Sequence, residues 1–232
     1  MTGRTRTKIL PVSGKEVVIK APDGEAETLI LDNIDEVEKY LPEYYLMCTV
    51  SIDGAAPTIE DILDLREPDQ ETVSMEIGIL AVADGKLRLS GPCPKCDEPA
   101  NYIVDLKNLD YIALPDDLTG PDPTWPVLLP DIGKEAIVGW ITGHEERELL
   151  RHKDFRMLRR EQARIRSIDG QKPTLAEVKK LITPDHLAIR QSFMERRCGY
   201  DGRVSFRHKK CKKTVWMNIS SDPSFLMPGI PG

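Results

Sequence analysis

The sequence predicts an α+β fold built from two similar halves. Three stretches of the first half align without gaps on the second half, in the same order and at offsets of 119, 116 and 117 residues. They are LPVSGKEVVIKAPDGEAETLIL (10–31) on LPDIGKEAIVGWITGHEERELL (129–150), PTIEDILDLREPD (57–69) on PTLAEVKKLITPD (173–185), and DGKLRL (84–89) on DGRVSF (201–206). Three matches in one order indicate duplication of a helix-plus-hairpin unit, with a pseudo-two-fold relation between its copies.

Each copy begins with a predicted strand, over 17–20 in the first and over 136–139 in the second. An acidic helix start follows the strand. In the second copy the pattern predicts a long basic helix over 144–166.

Two further helix starts recur in both copies. Thr58 and Thr174 each follow a proline and precede an acidic residue by three positions, a spacing typical of a capping box. A Pro-Asp pair then predicts the start of a second helix, which ends near 83 in the first copy and near 198 in the second. An Asp-Gly turn leads from each of these helices into a strand of alternating apolar residues.

The predicted halves are 1–117 and 118–232, with opposite net charges. The first carries 11 basic and 24 acidic side chains, a net charge of −13, and the second carries 21 and 14, a net charge of +7. This asymmetry indicates that the halves attract each other or face different partners, unless two solvated surfaces simply differ. The segment 114–126, rich in proline and glycine, is predicted to be a linker or an extended strap without regular structure.

The composition is that of a soluble globular protein, with 40% hydrophobic and 30% charged residues. The first residues lack the apolar segment of a signal peptide, and the longest apolar run (77–83) is too short to span a bilayer. We therefore expect the protein to be made in, and to remain in, a reducing cytoplasm. In that compartment five cysteines favour metal binding or free thiols over disulfides.

Four residues have the spacing of zinc ligands. Cys93 and Cys96 form a Cys-x2-Cys knuckle (CPKC) after the first Asp-Gly strand, and His208 and Cys211 form a His-x2-Cys knuckle (HKKC) after the second. An x2 spacing turns two side chains toward one cation, and two such knuckles complete a tetrahedron, as in a zinc ribbon. We expect a structural Zn²⁺ that joins the halves, because four protein ligands leave no open position.

Cys198 competes with His208 for the fourth position, since a thiolate is the softer ligand. It lies before the Asp-Gly turn, at a predicted helix end, where a buried core side chain is the simpler interpretation. Cys48 has no neighbour at ligand spacing and is expected in the core.

The sequence predicts no enzyme. It lacks a Walker loop, GxGxxG, HExxH and GxSxG, and we expect no small-molecule substrate. His144 is expected in a solvated first helical turn. His152 and His186 lie on helical stretches without a nucleophile or carboxylate at a suggestive spacing.

The second knuckle is strongly basic. Six cationic side chains surround its ligands: Arg203, Arg207, Lys209, Lys210, Lys212 and Lys213. With Phe206 and Trp216 as stacking surfaces, a zinc-ribbon regulator that binds nucleic acid is the alternative function. The first knuckle carries the acidic residues Asp97 and Glu98, so the simpler interpretation is that the basic knuckle faces this acidic one. We therefore expect no nucleic-acid partner.

Taken in order, LPVSGKEVVIK, PTIEDILDL, DGKLRL, CPKC, ANYIVDLKNLDY, a second LP-x2-GKE and a terminal DPSFL resemble the T4-type bacteriophage baseplate proteins. The resemblance covers most of the chain, and HKKC in place of a second Cys-x2-Cys departs from a symmetric zinc ribbon. The resemblance implies a non-enzymatic structural or assembly role beside other tail proteins, in a virion baseplate that is assembled in the host cytoplasm.

The C-terminal segment 220–232 has Phe225, Leu226 and Met227 between prolines, which exclude a helix or a central strand. We expect this segment either to dock into a neighbouring subunit or to fold back on the chain's own core.

Overall fold

The computed structural model describes residues 4–219, so the predicted docking segment 220–232 lies outside its described range. Helices and antiparallel strands alternate along these residues, which confirms the α+β prediction. The strands are β1 (Thr5–Ile9), β2 (Glu16–Lys20), β3 (Thr49–Ile52), β4 (Lys86–Pro92), β5 (Pro99–Asp105), β6 (Tyr111–Ile112), β7 (Thr124–Leu129), β8 (Lys134–Gly139), β9 (Ile165–Ile168), β10 (Gly199–Tyr200), β11 (Arg203–Arg207) and β12 (Thr214–Asn218). The helices are α1 (Gly24–Asp32), α2 (Leu41–Cys48), α3 (Ile59–Leu63), α4 (Glu67–Ala81), α5 (Gly143–Leu149), α6 (Arg156–Arg164), α7 (Leu175–Val178) and α8 (Thr183–Glu195), with 3-10 turns at Ile34–Lys39 and Leu106–Asn108.

Each half contains a three-stranded antiparallel sheet of the same order, β1-β2-β3 in the first and β7-β8-β9 in the second. The middle strand alternates buried and half-buried residues, as a strand with one face on the core requires. Its pairing with the third strand shifts between Val18 and Ile19 in the first half, and between Ile137 and Val138 in the second. These two irregularities are 119 residues apart, the offset of the first sequence match.

The turns of the two sheets are also alike. Gly14 and Gly133 follow the first strand of each sheet with φ of 68° and 66°, a left-handed conformation that glycine adopts without strain. The third strand ends in an Asp-Gly turn in both halves, with positive φ at Asp53 and at Asp169. The repeated Leu-Pro-x2-Gly-Lys-Glu stretch therefore encodes a turn between two strands.

A buried aspartate at the start of a later helix, α4 or α8, accepts hydrogen bonds from the first turn of each sheet. Asp69, at the start of α4, accepts hydrogen bonds from the amides of Val12 (2.8 Å) and Ser13 (3.0 Å). Asp185, at the start of α8, accepts one from the amide of Asp131 (2.9 Å). Burial raises the pKa of Asp69, against the opposing effect of these amides. The sequence identified both aspartates only as helix starts, because the turns that they contact are more than fifty residues away.

The predicted capping boxes are confirmed. Thr58 accepts a hydrogen bond from the amide of Asp61 at the start of α3, and Thr174 accepts one from the amide of Glu177 at the start of α7. In return, each carboxylate accepts a hydrogen bond from the threonine amide. The Pro-Asp helices α4 and α8 end at Ala81 and Glu195, close to the predicted ends.

The prediction of one helix over 144–166 is wrong. Helix α5 ends at Leu149, α6 begins at Arg156, and Phe155 between them has φ of 51°, which a right-handed helix does not accommodate. The Nζ of Lys179, just after α7, lies 3.4 Å from the centre of the Phe155 ring. This contact between distant residues is not visible in the local pattern of basic residues.

The predicted irregular segment 114–126 ends earlier than expected. Strand β7 begins at Thr124 and includes Pro126. Because β7 is an edge strand of its sheet, a residue without an amide hydrogen is tolerated there.

Buried side chains form two clusters, one in each half, and each receives residues from the other half. The first, around Tyr44, Ile19 and Ile77, includes Val215 and Ile219. The second, around Trp125, Trp140 and Phe193, includes Val12 of the first half. The halves are therefore packed against each other through apolar contacts.

Oppositely charged side chains also join the halves. In four of these pairs the acid comes from 1–117 and the base from 118–232: Glu43 with Arg147 (2.6 Å), Glu38 with Arg156 (2.7 Å), Glu67 with Arg164 (2.8 Å) and Glu98 with Lys210 (2.5 Å). Arg66 has the reverse arrangement, since it pairs with Asp122 (3.0 Å) of the second half. Exposed pairs contribute only about 0–1 kcal/mol each. The shared direction of the four pairs nevertheless supports attraction between the halves as one reason for the charge asymmetry.

Candidate metal centre

The predicted ligands lie at the tips of two antiparallel hairpins. Strands β4 and β5 pair from Lys86↔Asp105 to Pro92↔Pro99, and the turn beyond the last pair carries Cys93 and Cys96. Strands β11 and β12 pair from Arg203 to Arg207, and their turn carries His208 and Cys211. The alternating strands that follow each Asp-Gly turn thus carry both knuckles.

The backbones of the two knuckles have the same hydrogen bonds. In the first, the amide of Cys93 donates to the carbonyl oxygen of Glu98 (2.9 Å), and the amide of Asp97 donates to that of Cys93 (2.8 Å). In the second, the amide of His208 donates to Lys213 (3.0 Å), and the amide of Lys212 donates to His208 (2.9 Å). The second ligand of each pair is followed by a residue of positive φ, 57° and 60° respectively.

These two turns bring all four predicted ligands together. One ligand atom from each of Cys93, Cys96, His208 and Cys211 lies within 4.8 Å of the others. The Nδ1 atom of His208 is 3.4 Å from Sγ of Cys96 and 3.3 Å from Sγ of Cys211. In a tetrahedral zinc site, bonds of about 2.3 Å to sulfur and about 2.1 Å to nitrogen separate such atoms by roughly 3.6 Å. The donor set and its spacing therefore fit a tetrahedral metal ion.

The cluster is largely shielded from solvent. Cys93 and His208 are buried, and the rings of Tyr102 and Phe206, one from each hairpin, pack 4.9 Å apart between their centres. Burial acts to raise the pKa of the Cys93 thiol, but hydrogen bonds with the backbone of Lys95 and the neighbouring thiols outweigh it, and the pKa is lowered. Against a backbone hydrogen bond at Glu98, the thiols of Cys211 and Cys93 raise the pKa of Cys96, so of these two thiols the shift favours the thiolate, the form that binds metals, at Cys93.

The competing ligand Cys198 lies elsewhere. It is buried in the second-half core, where burial raises the pKa of its thiol to about 12. Cys48 is buried in the first-half core, as predicted, and burial likewise raises its thiol pKa to about 12. Among the described residues, the group that includes Cys93 contains His208 rather than Cys198.

The remaining histidines lie on helices or just after them. His144 is partly exposed, with its Nε2 atom 3.3 Å from carboxylate oxygens of Glu60 and Asp64 in the first half. His186 contacts Glu161 through Nδ1 and the carbonyl oxygen of Leu181 through Nε2, at 3.1 Å. Sequence reasoning missed both sets of carboxylate partners, because the partners are distant along the chain.

The basic side chains of the second knuckle are exposed, but two of them already have acidic partners, and Arg203 pairs with Asp201 at 3.1 Å. Nζ of Lys210 lies 2.5 Å from a carboxylate oxygen of Glu98 in the first knuckle. Trp216, on β12, is 70% exposed. The predicted pairing of a basic knuckle with an acidic one is therefore present, and an exposed aromatic remains beside it.

Within residues 4–219, no helix combines the length and apolar character needed to cross a membrane. Comparison of the chain with protein-family models, with curated proteins and with solved structures found no match.

Proposed function

We propose that this chain is a non-enzymatic structural protein whose halves are clamped by a Zn²⁺ ion. The convergence of three cysteine sulfurs and one imidazole nitrogen within 4.8 Å carries this proposal. Thiolate and imidazole donors suit zinc, and four protein ligands leave no position for a substrate or a reactive water. The ion would tie residue 93 to residue 211, so its binding energy would stabilise the fold.

We also infer that the two halves derive from one ancestral unit by duplication. The repeated sheet order, the shifted strand pairing, the capping boxes and the two knuckles support this inference, because they recur in the same order along the chain.

The resemblance to T4-type baseplate proteins favours a role in a phage tail baseplate or in its assembly. Among the described residues, the stretches that carry the resemblance form turns, caps, strands and the first knuckle. A metal-clamped scaffold with exposed charged surfaces suits a protein that holds or delivers other tail proteins. Partners in the virion and a baseplate location belong to this proposal.

Quantitative mass spectrometry of particles from the virus that encodes this chain tests the baseplate role. A structural component should be present in mature particles at a fixed ratio to other tail proteins. An assembly factor should be present in tail intermediates and lost from mature particles. Absence from both, or an association that disappears at high salt, would contradict the proposal.

The second candidate is binding of single-stranded nucleic acid by the β11–β12 hairpin. The observation that favours it is Trp216, exposed on β12 opposite Ser205, with Arg203 and Arg207 two residues to either side on β11. An aromatic surface beside cationic side chains is the usual arrangement for stacking bases and neutralising phosphates.

Fluorescence anisotropy with a labelled oligonucleotide at graded salt concentrations tests this candidate. The logarithm of the association constant should fall linearly with the logarithm of the salt concentration, with a slope of about −0.7 for each neutralised phosphate. Substituting Trp216→Ala should weaken binding, whereas Ile103→Ala, on the strand β5 of the other hairpin, should not. Absence of salt-dependent binding in the wild-type protein eliminates the candidate.

A further inference from the structure

The two halves meet through a close backbone contact that uses the α3–α4 junction of the first half and the start of α5 in the second. The amide of Glu67 donates to the carbonyl oxygen of Ile141 (3.0 Å), and the amide of Gly143 donates to that of Leu65 (3.3 Å). A Cβ atom on Gly143 would lie 2.9 Å from the Cα of Leu63. The contact therefore depends on the absence of a side chain at this glycine.

The matched positions on the opposite surfaces are exposed. Gly24, 119 residues before Gly143, has nothing within 4 Å of a Cβ built on it. Ile182, at the α7–α8 junction, matches Arg66 and is 46% exposed. Val50, on the edge strand β3, matches Arg166 because Thr49 pairs with Ile19 as Ile165 pairs with Val138, and it is 47% exposed. Within the described residues, the first half therefore has a free helix start at α1, the counterpart of the α5 start that is in contact. The second half has a free α7–α8 junction, the counterpart of the α3–α4 junction that is in contact.

The chemistry of the contact changes from polar to apolar at the matched positions. In the contact inside the chain, Arg166 pairs with Glu145 at 2.7 Å, and Arg66 lies 3.9 Å from the same carboxylate. At the matched positions Ile182 replaces Arg66 and Val50 replaces Arg166, and both are exposed, whereas Ala26, which replaces Glu145, is buried in the first-half core. An exposed aliphatic residue in place of each arginine, on surfaces of different halves, is the change expected if those surfaces meet each other.

The charges beside these positions are also complementary. Inside the chain, Nε2 of His144 lies 3.3 Å from a carboxylate oxygen of Asp64. Glu25 matches His144 and Lys180 matches Asp64, and both are exposed. The helix start thus carries the acid and the junction carries the base, the reverse of the contact inside the chain. An acid on the first half would therefore face a base on the second half, in agreement with the net charges of the halves.

We propose that copies of this chain associate head to tail, the second-half patch (Lys180, Ile182 and Thr183) of one copy binding the first-half patch (Gly24, Glu25 and Val50) of the next. The open space at Gly24 shows that the two patches do not meet within one chain. Such a heterologous contact produces either a closed ring or a growing chain of subunits. The partner is a second copy because the complementary surfaces already contact each other once inside each molecule.

Sedimentation velocity of the full-length, zinc-loaded protein over a range of concentrations tests the proposal. The wild-type protein should show a mass that rises with concentration. Ile182→Glu and Val50→Glu should each weaken association by roughly ten- to a hundredfold, the equivalent of losing one buried aliphatic contact. Both side chains are exposed, so both variants should retain the circular dichroism and metal content of the wild type.

Mixing the two variants distinguishes a head-to-tail contact from a symmetric one. Ile182→Glu retains an intact first-half patch and Val50→Glu retains an intact second-half patch, so an equimolar mixture should form one-to-one dimers that do not grow further. Met194→Glu is the control, because Met194 is 63% exposed on the same helix but about 18 Å from Ile182 along its axis. A wild-type protein that stays monomeric, a mixture without dimers, or equal effects of the control and the patch variants would overturn the proposal.

Discussion

Wild-type protein purified without chelator is expected to carry one zinc ion per chain, and the His208→Ala and Cys211→Ser variants are expected to lose it. Each variant removes one of four donors that converge within 4.8 Å. The free energy of unfolding should fall by at least ~4 kcal/mol, the stabilisation given by a ligand present at about 1,000 times its dissociation constant. Elemental analysis measures the metal, and urea denaturation at fixed free zinc measures the stability.

The matched control is Cys198→Ala, which removes a buried thiol outside the cluster. This variant should retain its zinc, although it loses some stability because a small cavity forms in the second-half core. Full zinc occupancy and unchanged stability in His208→Ala would contradict the assignment. Loss of zinc from Cys198→Ala alone would identify that residue as the fourth ligand.

Gly143→Ala is expected to destabilise the protein by about 1–3 kcal/mol, the usual cost of forcing an extra carbon into a closely packed contact. The new Cβ would lie 2.9 Å from the Cα of Leu63, a backbone atom that cannot rotate away. The start of α5 and the α3–α4 junction would have to separate, which weakens the hydrogen bond between the Gly143 amide and Leu65. Urea denaturation of the zinc-loaded protein, at a concentration where it is monomeric, measures the effect.

Gly24→Ala is the control for this prediction, because Gly24 occupies the same place at the start of α1 and has open space around it. Its effect on the free energy of unfolding should stay within about 0.5 kcal/mol, as for most exposed substitutions. Equal destabilisation by the two substitutions would show that the cost arises in the helix start itself and not in the contact between the halves.

Much of the fold was predictable because local chemistry determines it. A threonine followed three residues later by an acid satisfies its own helix start, so Thr58 and Thr174 indicated α3 and α7 without reference to the rest of the chain. The break at Phe155 was not predictable. It coincides with a contact to Lys179, and no local residue type marks a left-handed phenylalanine.

The candidate site was predictable for a different reason. Cys93 and Cys96 have a spacing that indicates a knuckle, but His208 and Cys211 were found only because the sequence repeats. The clamps that Asp69 and Asp185 form on the first turn of each sheet were missed. An aspartate after a proline at a helix start is ordinary, and nothing in its neighbourhood indicates that its carboxylate contacts a distant backbone.

The sequence alone thus determined the helix caps, the glycine turns and which side chains are suited to bind a metal, because these depend on residue type and on short spacings along the chain. The tertiary structure decided which distant groups meet: the four ligands, the ionic contacts between the halves, and the backbone contact at Gly143. Those outcomes depend on how two packed units are placed against each other. That placement reflects many weak contacts at once, which no single stretch of sequence encodes.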